Sequence, residues 1–119
     1  MNETEIQFID SFNAMQATAH AISKRSGFHD NDREDDIEQN AMRLALIHSE
    51  VSECLEALRH GNPLDDHITG FKGTEAELAD VVIRIMDMAE TNGWLVSDAI
   101  VAKMKYNATR PFKHGNKVI

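Results

Sequence analysis

The chain has a single cysteine, Cys54, so it can form no internal disulfide; a lone cysteine within a helical stretch reads as a small packed thiol rather than a nucleophile. Its two prolines, Pro63 and Pro111, fall where helical periodicity stops, and there is no strand-like alternation, internal repeat or low-complexity tract. No apolar run approaches the roughly 20 residues that span a bilayer. The opening Met-Asn-Glu-Thr-Glu is acidic where a signal peptide is basic, so a cytoplasmic protein is expected. Positive charge is scarce as well: 12 Lys plus Arg against 20 Asp plus Glu leave a net charge of −8. That balance argues against a nucleic-acid binder, whose affinity comes from clustered cations. Nucleotides stay open as ligands, because metal ions invert local charge.

What is present is ordinary globular composition, 42% hydrophobic and 27% charged over 119 residues, expected to form one domain across 1–119. A domain this small buries only about two-thirds of its unfolded area, so self-association would help it.

Residues 4–25 carry Phe8, Phe12, Met15, Ala19 and Ile22 on one helical stripe, with Gly27 as the stop. Residues 30–38 hold six acids, one base and one apolar residue, and read as a solvated loop and helix start. A second helix is expected over 37–60, with Leu44, Ile47, Val51, Leu55 and Leu58 as its core stripe and Gly61-Asn62-Pro63 ending it. Thr74 and Glu77 match a capping box for a third helix running to about Asn92. Apolar residues from Leu78 to Ala89 surround most of that helix, so it is central or lies at a subunit contact. After Gly93 a fourth helix runs from about 96 to 109, halted by Pro111. Met86, Met88 and Met104 are read as core filling, and Trp94 as the anchor of a helix connection.

The second helix carries acids where a purely solvated face would not. With Val51 at zero, Glu50 projects near −100° and Glu53 near −160°, between Leu46 at about −140° and Ala57 at about −120°. The third helix repeats the arrangement with Glu77 and Asp80. Like charges about 6 Å apart repel by roughly 3 kcal/mol at an effective dielectric of ~20. Protonation relieves that cost, and so does a divalent cation, for which hard Mg²⁺ suits all-oxygen ligands. A di-iron bundle would need Glu-x-x-His, which is absent, and the six histidines show no familiar zinc spacing. His48, about 60° from the leucine stripe, reads as a satisfied, partly buried histidine.

From Ala99 to Ile119 there is no acid, while Lys103, Lys105, Arg110, Lys113 and Lys117 add +5. Lys103, Asn107 and Arg110 align along one side of the fourth helix and its end, and Arg84 sits one turn after Asp80. Hard-metal ligands together with anion-binding donors are the combination that neutralises a polyphosphate during displacement. Residues from about 110 to 119 also read as a basic tail.

The motifs Glu50-Val-Ser-Glu53 and Glu77-Leu-Ala-Asp80 resemble the signature of MazG-like nucleotide pyrophosphohydrolases of the all-α NTP pyrophosphatase superfamily. The surrounding blocks, 46–56, 77–84 and 103–115, read like family text in the expected order, and 23–30 resembles the segment after the first helix. The resemblance covers roughly residues 16 to 117.

The resemblance implies an all-α, four-helix MazG-like bundle assembled as a homodimer or homotetramer. It implies hydrolysis of a (d)NTP to (d)NMP and pyrophosphate, a reaction that serves nucleotide-pool house-cleaning and adjustment of the normal pool alike. Glu50, Glu53, Glu77 and Asp80 would be ligands for Mg²⁺, with Mn²⁺ as substitute, and these four carry half as much charge as the net −8. Arg84, Lys103, Asn107 and Arg110 would meet phosphates, in part across subunits, and Lys24, Phe28 and Asp30 the sugar or base. Water would attack the α-phosphorus with Glu50 or Glu53 as general base. The competing expectation is a non-catalytic helical interaction module, its acids merely solubilising.

Overall fold

The first helix is closed at its start by a reciprocal cap: Asn2 Oδ1 accepts the Glu5 N–H at 2.8 Å and Glu5 Oε1 accepts the Asn2 N–H at 2.9 Å. Acids in its first turn and Lys24 and Arg25 in its last complement the helix dipole. In the computed structural model, which describes residues 1–33 and 36–119, this is α1, Glu3–Arg25. It is followed by α2 (Ile37–Arg59), α3 (Gly73–Asn92), α4 (Val96–Ala108) and a four-residue α5 (Lys113–Asn116). The architecture is all-helical; no strand occurs among the described residues, only an isolated bridge between Leu64 and Lys72. Of the acidic stretch, Glu34 and Asp35 lie outside the described residues.

Asp36 caps α2 by accepting the Gln39 N–H at 3.1 Å. The start of α3 differs from the expected Thr74–Glu77 box. Glu75 Oε1 accepts the Lys72 N–H at 3.0 Å and Asn62 Oδ1 accepts the Thr74 N–H at 3.0 Å, so the loop supplies the cap and Glu77 is left free to face α2. Gly73 is there for closeness: a Cβ on it would sit 3.0 Å from Ala57 Cβ, where α3 leaves the end of α2.

α3 packs against both α1 and α2, and α4 packs on α1. The core is small: Ile9, Ala76, Met88, Ala89 and Val101, with Gln16, Glu50 and Ser97 buried among them. Polar contacts join the helices, Gln16 donating to Glu90 at 2.9 Å and Ser97 to Asn13 at 2.7 Å. Cys54 is packed as expected, its thiol 3.8 Å from the Thr74 carbonyl.

The inward faces correct the sequence expectation. On α2, the stripe read as core is largely outside: Leu44, Val51, Leu55 and Leu58 are 49–57% exposed, and only Ile47 of that set turns inward. The face toward α3 is instead Asn40, Arg43, Ile47, Glu50, Cys54 and Ala57. On α1 the packed face runs through Ile9, Phe12, Gln16 and His20, with Phe8, Met15 and Ile22 at its exposed edge. Met104 and His48 are exposed, not packed. The polar face wins the interior because α3 offers it partners: Arg84 for Glu50, and Asn92 for a reciprocal amide pair with Asn40 at 2.9 and 3.0 Å.

A single chain is consequently loose. Its accessible surface is 9013 Å², where a compact protein of 13.4 kDa exposes about 6,500 Å². Its radius of gyration is 16.7 Å, against about 13.5 Å for a compact domain of this length.

Candidate functional site

Glu50 and Glu53 stand on adjacent turns of α2, and Glu77 reaches toward them from the first turns of α3. Each offers a carboxylate oxygen, and the three oxygens lie within 4.8 Å of one another. Glu50 is buried, Glu77 half-buried and Glu53 exposed, so the trio opens to solvent on one side. Glu77 Oε2 is a buried oxygen with no hydrogen-bond partner among the described residues.

Electrostatics divide the trio. Burial, and then the facing carboxylates of Glu50 and Glu53, push Glu77 up to about 7. Burial also works to raise Glu50, but hydrogen bonding by Arg84, Glu77 and Glu53 outweighs it and holds Glu50 below the ordinary value. Arg84 Nε donates to Glu50 Oε1 at 2.9 Å. Asp80, one turn beyond Glu77, is raised by burial and by the Glu50 charge, with Arg84 opposing. The upward shifts of Glu77 and Asp80 are what crowding of carboxylates in a partly desolvated place produces.

A cavity of about 350 Å³ lies between α1, α2 and α3. Ile22, Met42, Leu46, Ile83 and Met88 form its apolar wall, and Phe28 contributes from the α1–α2 connection. Glu50, Asp80 and Arg84 bring charge to it, as do Arg43 and Asp87. Both Glu50 to Arg43 and Asp80 to Asp87 are two turns, about 10 Å along their helices. The cavity thus runs from the acids to a second polar group.

Of the remaining residues singled out from sequence, Lys24 and Asp30 are exposed beside Phe28 and do not line the cavity. Lys103, Asn107 and Arg110 do not line it either. Lys103 Nζ and Arg110 Cζ instead lie 5.2 and 5.6 Å from the Tyr106 ring centre. The structure therefore brings Glu50, Glu53, Glu77, Asp80, Arg84 and Phe28 to one region of a single chain, and the α4 cations to another.

Sequence spacing missed the polar group at the far end of the cavity. His20 of α1 and His29 of the α1–α2 connection both reach Asp87 of α3, each at 2.8 Å from its Oδ1. The other ring nitrogen of His29 lies 2.5 Å from Asp32, and Arg43 pairs with Asp32. Asp32 is exposed, as expected of a solvated acidic loop, yet its carboxylate is engaged: burial pulls it upward, and His29 with Arg43 outweigh that and hold it below its ordinary value. The one local signal was Gly27, whose left-handed φ of 90° turns the chain so that His29 comes back beside His20. No protein-family model, curated protein or solved structure matches this chain.

Proposed function

We propose that the protein is a Mg²⁺-dependent nucleoside triphosphate pyrophosphohydrolase, acting as a homo-oligomer with a MazG-like arrangement of its helices. The observation that carries the reading is the convergence of Glu50, Glu53 and Glu77 within 4.8 Å, at the edge of a cavity that Arg84 and Asp80 also line. An all-oxygen donor set with an unpartnered buried carboxylate oxygen fits a hard divalent cation. Glu50, Glu53, Glu77 and Asp80 would hold Mg²⁺, or Mn²⁺ in its place, and the ion would supply charge neutralisation at the phosphates and a lowered pKa for water.

The chain's own groups do the rest. Glu50 or Glu53 takes the proton from the water that attacks the α-phosphorus. The bond from that phosphorus to the bridging oxygen breaks, pyrophosphate leaves and a nucleoside monophosphate remains. Arg84, already oriented by Glu50, places its guanidinium toward phosphate oxygens. The apolar wall and Phe28 exclude water around the base, while Lys24 and Asp30, outside the cavity lining, would meet the sugar or base only from the exposed rim.

Self-association follows from the same surfaces. The surplus area of roughly 2,500 Å² per chain, about 5,000 Å² for a pair, is within the range that obligate interfaces bury, and the stripe Leu44, Val51, Leu55 and Leu58 supplies apolar content. In that assembly Lys103, Asn107 and Arg110 come to the phosphates from a second copy, since they do not line their own chain's cavity.

Incubation of the purified protein with Mg²⁺ and a panel of nucleoside triphosphates tests the activity. Monophosphate and pyrophosphate are expected; orthophosphate release, or inactivity across canonical and modified nucleotides, overturns the reading. The exposed leucine stripe favours one alternative, a non-catalytic interaction module. A folded oligomer that binds neither Mg²⁺ nor nucleotide in calorimetry at millimolar concentration supports that alternative instead.

A further inference from the structure

We propose a second cation site, distinct from the carboxylate trio and independent of the hydrolase reading: His20 Nδ1, His29 Nε2 and Asp87 form a binding site for a borderline transition metal of the Zn²⁺ class. Each of the three residues offers one ligand atom, all within 4.8 Å of one another. The donor set is two imidazoles and one carboxylate, the chemistry that selects Zn²⁺ over Mg²⁺, whereas the trio at Glu50 is oxygen only.

The two rings are already aimed. His20 Nδ1 lies 2.8 Å from Asp87 Oδ1, and His29 Nε2 lies 2.8 and 3.0 Å from Asp87 Oδ1 and Oδ2. The far nitrogen of His29, Nδ1, is 2.5 Å from Asp32 Oδ2, and Asp32 is held in turn by Arg43. A carboxylate behind a ligating histidine is the device that fixes its tautomer and raises its basicity. Thr91 Oγ1 stands 3.3 Å from His20 Nδ1 while donating to the Asp87 carbonyl at 2.8 Å, which steadies the His20 side.

Burial suits a bound ion that keeps one open position. The His29 side chain is 5% exposed, Asp87 17% and His20 24%, so water or a ligand atom reaches the site from the His20 side. The three donors come from α1, the α1–α2 connection and α3, and two of them are on regular helices. A tetrahedral site with bonds of about 2.0 Å needs donors about 3.3 Å apart, so these must part by about half an ångström, within reach of side-chain rotation.

Close polar contacts already hold the group together. His29 faces a carboxylate at each ring nitrogen, and His20 faces Asp87 through Nδ1. A metal would bind through His29 Nε2 and His20 Nδ1, any proton at those atoms being released to solvent, and would leave His29 Nδ1 to donate to Asp32. Because Phe28 precedes His29 and lines the cavity, an ion here pins that residue's backbone to α3.

The test titrates Zn²⁺ into the chelator-stripped full chain in millimolar Mg²⁺, with Co²⁺ as the spectroscopic probe. Expected are one ion per chain that excess Mg²⁺ does not displace, a cobalt d–d band, and shifted ring ¹⁵N resonances of His20 and His29. His20→Ala should abolish binding, Asp32→Asn should weaken it about tenfold or more, and Glu53→Gln should leave it unchanged. The proposal is overturned if Zn²⁺ fails to bind in excess Mg²⁺, or if binding responds to Glu53→Gln and not to His20→Ala. The ring resonances are read on the unsubstituted protein, so the outcome does not depend on any variant folding.

Discussion

Arg84 Nε donates to Glu50 Oε1 at 2.9 Å across the contact between α3 and α2, joining a buried carboxylate to an arginine side chain that is 41% exposed. The pair lets an acid occupy the interior face of α2, and it leaves the outer part of the guanidinium accessible from the cavity. Arg84→Ala is expected to strand the Glu50 charge. The loss should be about 1–3 kcal/mol, at the lower end because solvent screens the arginine. Denaturant melts check it, and Arg84→Lys should recover part of the stability but less of the nucleotide affinity.

Glu53→Gln and Asp80→Asn keep side-chain size while removing a carboxylate charge. Each is expected to lower turnover of nucleoside triphosphate by about 100-fold or more, on the scale of lost metal-assisted charge stabilisation. Circular dichroism should show the helices intact. Wild-type turnover in either variant removes that residue from the site.

Glu77 makes stability depend on pH. Its ordinary value of 4.5 applies to the unfolded chain, and the folded value is about 7. The folded protein therefore binds the proton more tightly, so this contribution is fully present below about pH 4.5 and fades as pH rises through about 7. In chelator, the melting temperature of the wild type should fall between pH 5 and 8 relative to that of Glu77→Gln, which has no such proton. Parallel curves for the two proteins would show that Glu77 is not held protonated. Mg²⁺ should reverse the trend, stabilising most at the high end, where the carboxylate is ionised.

A charge on the leucine stripe should separate the subunits. Leu55→Glu is expected to convert an oligomer to a monomer in light scattering, because Leu55 is 56% exposed on a single chain and has no role in its core. An unchanged assembly places the interface elsewhere.

Subunit mixing examines the origin of the phosphate-binding cations. Glu53→Gln and Arg110→Ala should each be nearly inactive alone, with the Arg110 defect lessened at low salt. If the site is shared between copies, re-equilibrated mixtures should recover activity at roughly a quarter of the sites, since only hybrid pairs contain one intact site. No recovery would mean that Glu53 and Arg110 serve the same chain.

The bounds of α1 to α4 were legible in the sequence almost to the residue, because stops such as Gly27, Asn62-Pro63, Gly93 and Pro111 act on the backbone locally, whereas α5 falls within the stretch expected as a basic tail. The pairing of Glu50 with Glu53, and their place between Leu46 and Ala57, were legible for the same reason: a helix face follows from 3.6 residues per turn. Of the four acids expected together, Glu50, Glu53 and Glu77 converge within 4.8 Å and Asp80 stands outside that trio, while Glu75 and Asn62, not Glu77, cap the start of α3.

Periodicity ranks helix faces by hydrophobicity, and on that scale Leu44, Val51, Leu55 and Leu58 outrank Arg43, Glu50 and Cys54. Which face turns inward is settled by the partners a neighbouring helix provides, and α3 presents Arg84 and Asn92 to the polar one. The histidine group lay further out of reach: His20, His29 and Asp87 are nine and 58 residues apart, and no local rule links them. The amino-acid order thus determined where the helices begin and end and which acids share a turn. Only the tertiary structure decided which faces meet, because desolvation and hydrogen-bond partnership depend on atoms that are distant along the chain.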